Sequence, residues 1–231
     1  MKKHILTPLL LLLFAGGLTM LLILNNKSQL ATAQEKGIHR ETIKLPAPKL
    51  DGTVSVEKAL LERRSIRTYK DEPLTLADVS QILWAAQGIT DSTTGHRTAP
   101  SARALYLLEV YLISGNVTGL PAGMYKYQPQ GHELLKVAEG DMKTKLFEAA
   151  GQAPIKKAPV ALVITGLSDR SKNSNWMYLE AGHAAQNVYL QGVSLKIGTV
   201  VMAGFKEEPV KTALNLPKNE QPIYIMPLGK K

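Results

Sequence analysis

The chain has 231 residues, 45% of them hydrophobic and 20% charged, the composition of a folded globular protein and not of a disordered chain, a collagen or a coiled coil. It contains no cysteine, which excludes disulfides, thiolate nucleophiles, zinc fingers and iron–sulfur clusters together. The formal charge is +9, but residues 1–33 hold three lysines and no acid, so the rest carries +6, spread along the chain without a run that would track nucleic acid.

In chain order, Lys2 and Lys3 precede an almost unbroken apolar run over residues 5–24, about the length of one bilayer span. Ala31-Thr32-Ala33 offers a cleavage site, so residues 1–33 are read as an N-terminal signal peptide or a retained signal anchor. The apolar run exceeds the roughly 7–15 residues usual in a cleaved signal, which favours the anchor. The lysines ahead of it favour the N-terminus inside and the domain on the extracytoplasmic side, anchored or exported.

Residues 34–52 are polar with proline and glycine and read as a linker or arm, and the folded domain is expected over 53–231. A short helix is expected over Val56–Arg63 and a clearer one over Thr75–Gln87. In the latter Thr75 and Asp78 form a cap pair, and Val79, Ile82, Leu83 and Ala86 recur at helical spacing. A strand follows over Leu105–Ile113, then a hairpin whose arms, Met124–Tyr127 and Glu133–Val137, flank Gln128-Pro129-Gln130-Gly131. Asp141 caps a helix that stops at Gly151. Pro159–Thr165 reads as a buried strand. Ser174–Leu195 reads as the longest helix, with Trp176, Leu179, Ala185, Val188, Tyr189 and Val193 as core. A strand over Thr199–Met202, a helix over Glu207–Leu214 and a strand over Pro222–Pro227 complete an α+β pattern with hairpin connections.

Neither glycine-rich nucleotide fingerprint is present, nor G-x-S-x-G. Ser55 and Lys58 match the S-x-x-K of penicillin-recognising hydrolases, but no S-D-N or K-T-G follows, and a serine opening a helix is most simply its N-cap. Glu180 and His183 stand three apart on a helix and could share a metal. No second such pair supports them, and a hydrogen bond for His183 is the simpler reading. What remains is Glu62–Tyr69, where three guanidiniums and two aliphatic hydroxyls meet at a helix end. Arginine forks bind phosphate oxygens in two-point contacts, so the segment is a candidate phosphate site; the alternative is a solvated charged face beside Glu62, Asp71 and Glu72.

Arg63-Arg64-Ser65-Ile66-Arg67-Thr68-Tyr69 resembles the opening motif of the FMN-dependent nitroreductase family. Five later segments match in the same order: Ala99–Tyr106 with the strand LLEVYLI, Pro121–Tyr127, Leu179–Asn187, Ile197–Phe205 and Gln221–Lys230. The pattern is most similar to the branch of thiazole/oxazole-forming peptide dehydrogenases (SagB-type). The resemblance covers about Val56 to Lys230. It implies a nitroreductase-like α+β fold, a mixed, mainly antiparallel sheet flanked by helices, in an intertwined homodimer with FMN at the subunit interface. It implies that Arg63, Ser65 and Arg67, with Arg64 adjacent, hold the FMN phosphate and ribityl oxygens. Pro100, Ser101 and Ala102 would lie along the isoalloxazine, from the other subunit. Met202, Ala203 and Gly204 would form the turn whose backbone N–H approaches flavin N5, and Gly229 and Lys230 would stand near the phosphate. No catalytic side chain and no metal is then required, because the flavin carries the chemistry. The implied reaction is ping-pong electron transfer to a small-molecule acceptor.

Two residues depart from the branch: Arg103 stands where glycine is usual and Leu107 where proline is common. A long cation there narrows the pocket or favours an anionic substrate. NAD(P)H as donor conflicts with an exported domain: either the domain faces inward, or the donor is another, such as a quinol or a membrane partner. The competing reading is a redox-silent ligand-binding module on the same fold.

Overall fold

The computed structural model describes residues 41–231; the predicted apolar run over 5–24 and the cleavage site lie outside the described residues. No helix among the described residues is long and apolar enough to cross a membrane.

The domain is built on one seven-stranded sheet. Its strands are β1 (Thr42–Lys44), β5 (Leu108–Ser114), β7 (Gly123–Gln128), β8 (Glu133–Glu139), β9 (Val160–Leu167), β10 (Ile197–Thr199) and β11 (Glu220–Lys230). They run in the spatial order β1-β8-β7-β5-β9-β11-β10, with every pairing antiparallel. Among the described residues, parallel pairing is confined to the short β2 (Leu74–Thr75) with β6 (Val117–Thr118) and to a bridge between Ser65 and Thr199. A third small ladder joins β3 (Ile89–Asp91) and β4 (His96–Arg97).

Helices cover both faces of the sheet. On one face α2 (Leu76–Gln87) and α5 (Asn175–Leu195) pack over Val110, Leu112, Leu162, Ile164 and Met226. On the other, α3 (Met142–Ala150), α4 (Ala153–Lys157) and α6 (Glu207–Ala213) pack over Tyr111, Ile113, Val163 and Ile225. Alternate residues of one strand thus serve two cores, and all of β9 is buried. Burial on both faces is why it reads as a continuous apolar run. α1 (Val56–Glu62) begins at Ser55, whose side chain accepts from the Lys58 N–H, as its N-cap reading requires. α2 starts with the complete Thr75–Asp78 capping box. Asp141 caps α3, which ends on Gly151 in the left-handed conformation (φ 65°) that glycine adopts without steric cost.

Several expectations are corrected. Leu179, expected in the core, is 62% exposed, and the buried stripe of α5 runs instead through Met177, Ala181, Ala184, Ala185 and Val188. The expected strand Thr199–Met202 sits earlier, because Ile197–Thr199 pairs with Leu228–Lys230 as soon as α5 ends; Met202 contributes only a bridge to Ile225. β11 extends past both of its prolines, with an irregularity at Pro222. The stretch read as a linker contains β1, which pairs with β8, and Leu45, which is buried. A three-residue strand has too little alternation to be visible in a polar stretch.

His132 fastens that stretch. Its ring lies 3.0 Å from the Pro46 carbonyl and 2.7 Å from Ser80 Oγ through Nε2, and 2.8 Å from the Tyr127 hydroxyl through Nδ1. A neutral ring with its proton on Nε2 satisfies both sides. Burial, with Lys44 nearby, holds its pKa below the ordinary histidine value despite the Pro46 contact. A depressed histidine contributes stability above its unfolded pKa of roughly 6.5 and loses it as pH falls through the folded value. The melting temperature is therefore expected to fall between pH 7 and pH 5, and His132→Asn should flatten that decline. An unchanged slope in the variant assigns the acid sensitivity elsewhere.

Candidate functional site

The arginine segment leaves α1 and is laid across the β10–β11 edge. The Ile66 N–H bonds the Thr199 carbonyl at 2.8 Å and the Lys70 N–H bonds the Lys230 carbonyl at 2.9 Å. This approach depends on glycine at two facing positions of the ladder. A Cβ on Gly198 would stand 2.6 Å from Ile66, and one on Gly229 would stand 2.7 Å from Tyr69. The Tyr69 hydroxyl donates to the Ile66 carbonyl at 2.9 Å, and burial with Tyr189 nearby raises its pKa well above the usual tyrosine range, so it stays a donor.

Within the segment the three guanidiniums do different things. Arg63 lies over the Tyr189 ring, 5.1 Å from its centroid. Arg64 turns back to the carbonyls of Leu61 and Arg63, at 2.9 and 2.7 Å. Arg67 is exposed and makes no hydrogen bond or ion pair with the described residues. No carboxylate among the described residues lies within ion-pair distance of any of the three; Glu62 faces Lys58 instead.

Tyr189 joins this segment to the turn at 202–204. Its hydroxyl is 3.1 Å from Ser65 Oγ and accepts the Val201 N–H at 2.8 Å. Sequence reading placed Tyr189 only in the core; the signal for its polar end was that a tyrosine hydroxyl taken out of water needs a hydrogen-bond partner. In the turn, the Met202 N–H is committed to the Ile225 carbonyl at 2.9 Å. Ala203 and Gly204 are exposed, and neither N–H is donated to another described group; the Gly204 carbonyl accepts from Gln152 at 2.9 Å.

Lys230 lies beside the arginine segment with its side chain engaged within the chain. Its ammonium is held by Asp78, at 3.0 and 2.9 Å from the two carboxylate oxygens, and only its backbone meets the arginine segment. Burial works against the charge on Asp78, but the Thr75 N–H, Lys230 and the Thr75 hydroxyl outweigh it and keep the carboxyl below the usual range.

Pro100, Ser101 and Ala102 form a separate group nearer the start of α5. The Pro100 carbonyl is 3.4 Å from His183 Nδ1, and Ser101 Oγ donates to Glu180 at 2.6 Å. His183 and Tyr189 are six residues apart, roughly 9 Å along a helix, so the Pro100 loop and Ser65 meet α5 at different stretches. Glu180 and His183, weighed as a metal pair, are both engaged with this loop. A cavity of about 680 Å³ opens between residues 47–56 and helices α1, α2 and α5, lined by Asp78, Gln81, Trp84, Asn187 and Gln191 among others; none of the predicted binding residues lines it.

This architecture is that of a known family. The Nitroreductase family model matches residues 60–230. The nitroreductase-like protein MJ1384 of Methanocaldococcus jannaschii is 36% identical over 198 residues, 83% of this chain and 98% of that one. The crystal structure of a nitroreductase-like protein of Ralstonia eutropha JMP134 superposes with a TM-score of 0.73 at 30% identity, covering 84% of this chain and 91% of that one. The microcin synthetase McbBCD complex of E. coli, solved with truncated pro-MccB17 bound, shares the fold, with a TM-score of 0.62 at 22% identity over 85% of this chain and 80% of that one. The chain belongs to the nitroreductase family, a class of oxidoreductases.

The packing of Tyr69 against Gly229 is open to a direct check. Gly229→Ala is expected to cost about 1–3 kcal/mol, the usual penalty of overpacking, read as a lowered midpoint in urea unfolding. An unaltered midpoint would show that the 66–70 segment is not held this tightly.

Proposed function

We propose that this protein is an FMN-dependent oxidoreductase that works as a homodimer and passes electrons from a donor to a small-molecule acceptor. The observation that carries the reading is the donor set at 63–67: Arg63, Arg67 and the Ser65 hydroxyl, with no carboxylate to neutralise them among the described residues. Two unpaired guanidiniums and a hydroxyl fit a phosphate dianion. Bound flavin would supply hydride and electron transfer at its ring nitrogen.

The chain's own residues bind, orient and stabilise charge. Arg63 is pre-set by stacking on Tyr189, and Ser65 by the same hydroxyl that takes the Val201 N–H. This couples the phosphate end to the turn at 203–204, whose free N–H groups are suited to developing negative charge on a reduced ring. Met202 cannot join them, because its N–H is used within the fold. Ser101 likewise spends its hydroxyl on Glu180, so Pro100–Ala102 would meet a flavin through backbone and carbon atoms.

The dimer reading is supported by apolar side chains left in solvent on α1 and α5. Val56, Leu60 and Leu61 of α1 are 64%, 53% and 73% exposed, and Leu179 near the start of α5 is 62% exposed. Such grouping is uncommon on a monomer surface and suits a second copy. That copy would supply the Pro100 group to the flavin of its partner. Residues 5–24 would tether the domain to a membrane, with a quinol rather than NAD(P)H as donor on the extracytoplasmic side. Arg103 in the Pro100 loop favours an anionic acceptor. The branch of thiazole/oxazole-forming peptide dehydrogenases remains the reading of the motif pattern.

Purified protein is expected to be yellow and to bleach on reduction. Arg67→Ala should weaken FMN binding about 10- to 100-fold, the size of a lost hydrogen bond to a charged group, measured by flavin fluorescence quenching. Folded protein that is colourless and takes up no added FMN refutes the function, and unchanged affinity in the variant removes Arg67 from the site.

A further inference from the structure

Glu180 is a carboxylate in a place that has little room for charge. It lies on α5 and is 2% exposed. Three donors converge on it: Ser101 Oγ at 2.6 Å, the Leu107 N–H at 3.1 Å and Gln87 Nε2 at 3.4 Å. Ser101 Oγ in turn accepts the Tyr106 N–H at 2.8 Å. The two ends of the loop are thereby fastened to one buried group.

Between those ends the backbone is strained. Arg103, Ala104 and Tyr106 have φ of 54°, 52° and 50°, and none is glycine. Left-handed residues of this kind are disfavoured and persist only where the surroundings over-determine them. Here Arg97 lies 4.3 Å over the Tyr106 ring, Arg170 donates to the Tyr106 carbonyl at 3.2 Å, and Arg103 lies 5.6 Å over Trp176. These contacts are at the surface or half-buried, while the Glu180 contacts are inside.

The carboxylate is also linked to a cation at one remove. Arg97 Nη1 donates to Gln87 Oε1 at 3.0 Å, and the other end of that amide faces Glu180. Arginine has no acceptor and an ionised carboxylate no donor, so the Gln87 amide has one allowed orientation. The chain Arg97→Gln87→Glu180 therefore has a fixed polarity, and its charges balance without direct contact.

We infer that Glu180 is a positioning residue: the Arg97–Gln87–Glu180 chain holds Pro100–Tyr106 in the conformation that this protein presents to its flavin. The consequence for flavin rests on the proposed function, whereas the clamp is a property of the chain alone. Glu180→Gln keeps the shape but reverses one donor. If its oxygen still serves Ser101 and Leu107, its NH2 meets the Gln87 NH2, and turning Gln87 over sets that NH2 against Arg97. Exchanging the two groups in Q87E/E180Q restores every donor–acceptor pair.

Two readouts test this. The first is trypsin cleavage after exposed Arg103, followed by mass spectrometry relative to cleavage after Lys218. The second is FMN affinity by fluorescence quenching. E180Q is expected to raise the cleavage ratio and weaken FMN binding, each about tenfold, and Q87E/E180Q to recover most of both. Should E180Q not fold, Ser101→Ala, which removes only the shared hydroxyl, is expected to raise cleavage in the same direction. Unchanged cleavage in the single variant, no recovery in the double one, or a released loop with unchanged FMN affinity each overturns the inference. If the wild-type protein takes up no FMN, the flavin reading fails and the cleavage ratios still decide the clamp.

Discussion

Close packing of α5 on the sheet is the constraint from which the site follows. The buried side of this helix is lined with Ala181, Ala184, Ala185 and Val188, and at its end a Cβ on Gly192 would stand 2.8 Å from the Ile197 carbonyl. Small side chains let the helix axis approach the strands, and interiors packed at crystal-like density leave little freedom once it has done so. The larger residues of the same helix are then placed without slack. Glu180 and His183 meet the loop at 100–107 on one stretch, and Tyr189 meets Ser65, Arg63 and Val201 on the next.

Charge is distributed with the same economy. The ion pairs among the described residues are made by Lys58, Lys126, Lys136 and Lys230, and none is made by an arginine. These lysines pair within a helix or strand, between strands, or from a strand to a helix. Arginines stack on Tyr189, Tyr106 and Trp176, or stand free as Arg67 does. Stacking suits the planar, weakly hydrated guanidinium and leaves its edge available for a bidentate anion contact. Lys230 shows the contrast, since its point charge is absorbed by Asp78 at the head of α2.

Much of the helical layout was legible. The cap pair at Thr75 and Asp78, the Asp141 start and the Gly151 stop are local signals, and the structure places α2 and α3 within a residue of them. The resemblance across six segments carried the fold class, because motifs in register report topology even where each is weak. Short strands were not legible. β1, β3, β4 and β6 have two or three residues each and exist only because a partner strand runs beside them. Leu179 was misplaced because a helical stripe drawn from hydrophobicity alone follows large residues, whereas the helix buries its small ones.

By itself the sequence determined the inventory: a chain without thiols, a cluster of guanidiniums beside hydroxyls at a helix end, and the order of motifs that marks a nitroreductase. Tertiary structure alone decided how those groups are spent. Arg67 stays free while Lys230 does not, Met202 loses its N–H to β11, and Ser101 answers to a carboxylate buried 79 residues away along the chain. A hydrogen bond is a choice among partners brought together by distant segments, so no local pattern can reveal which donor remains for a ligand.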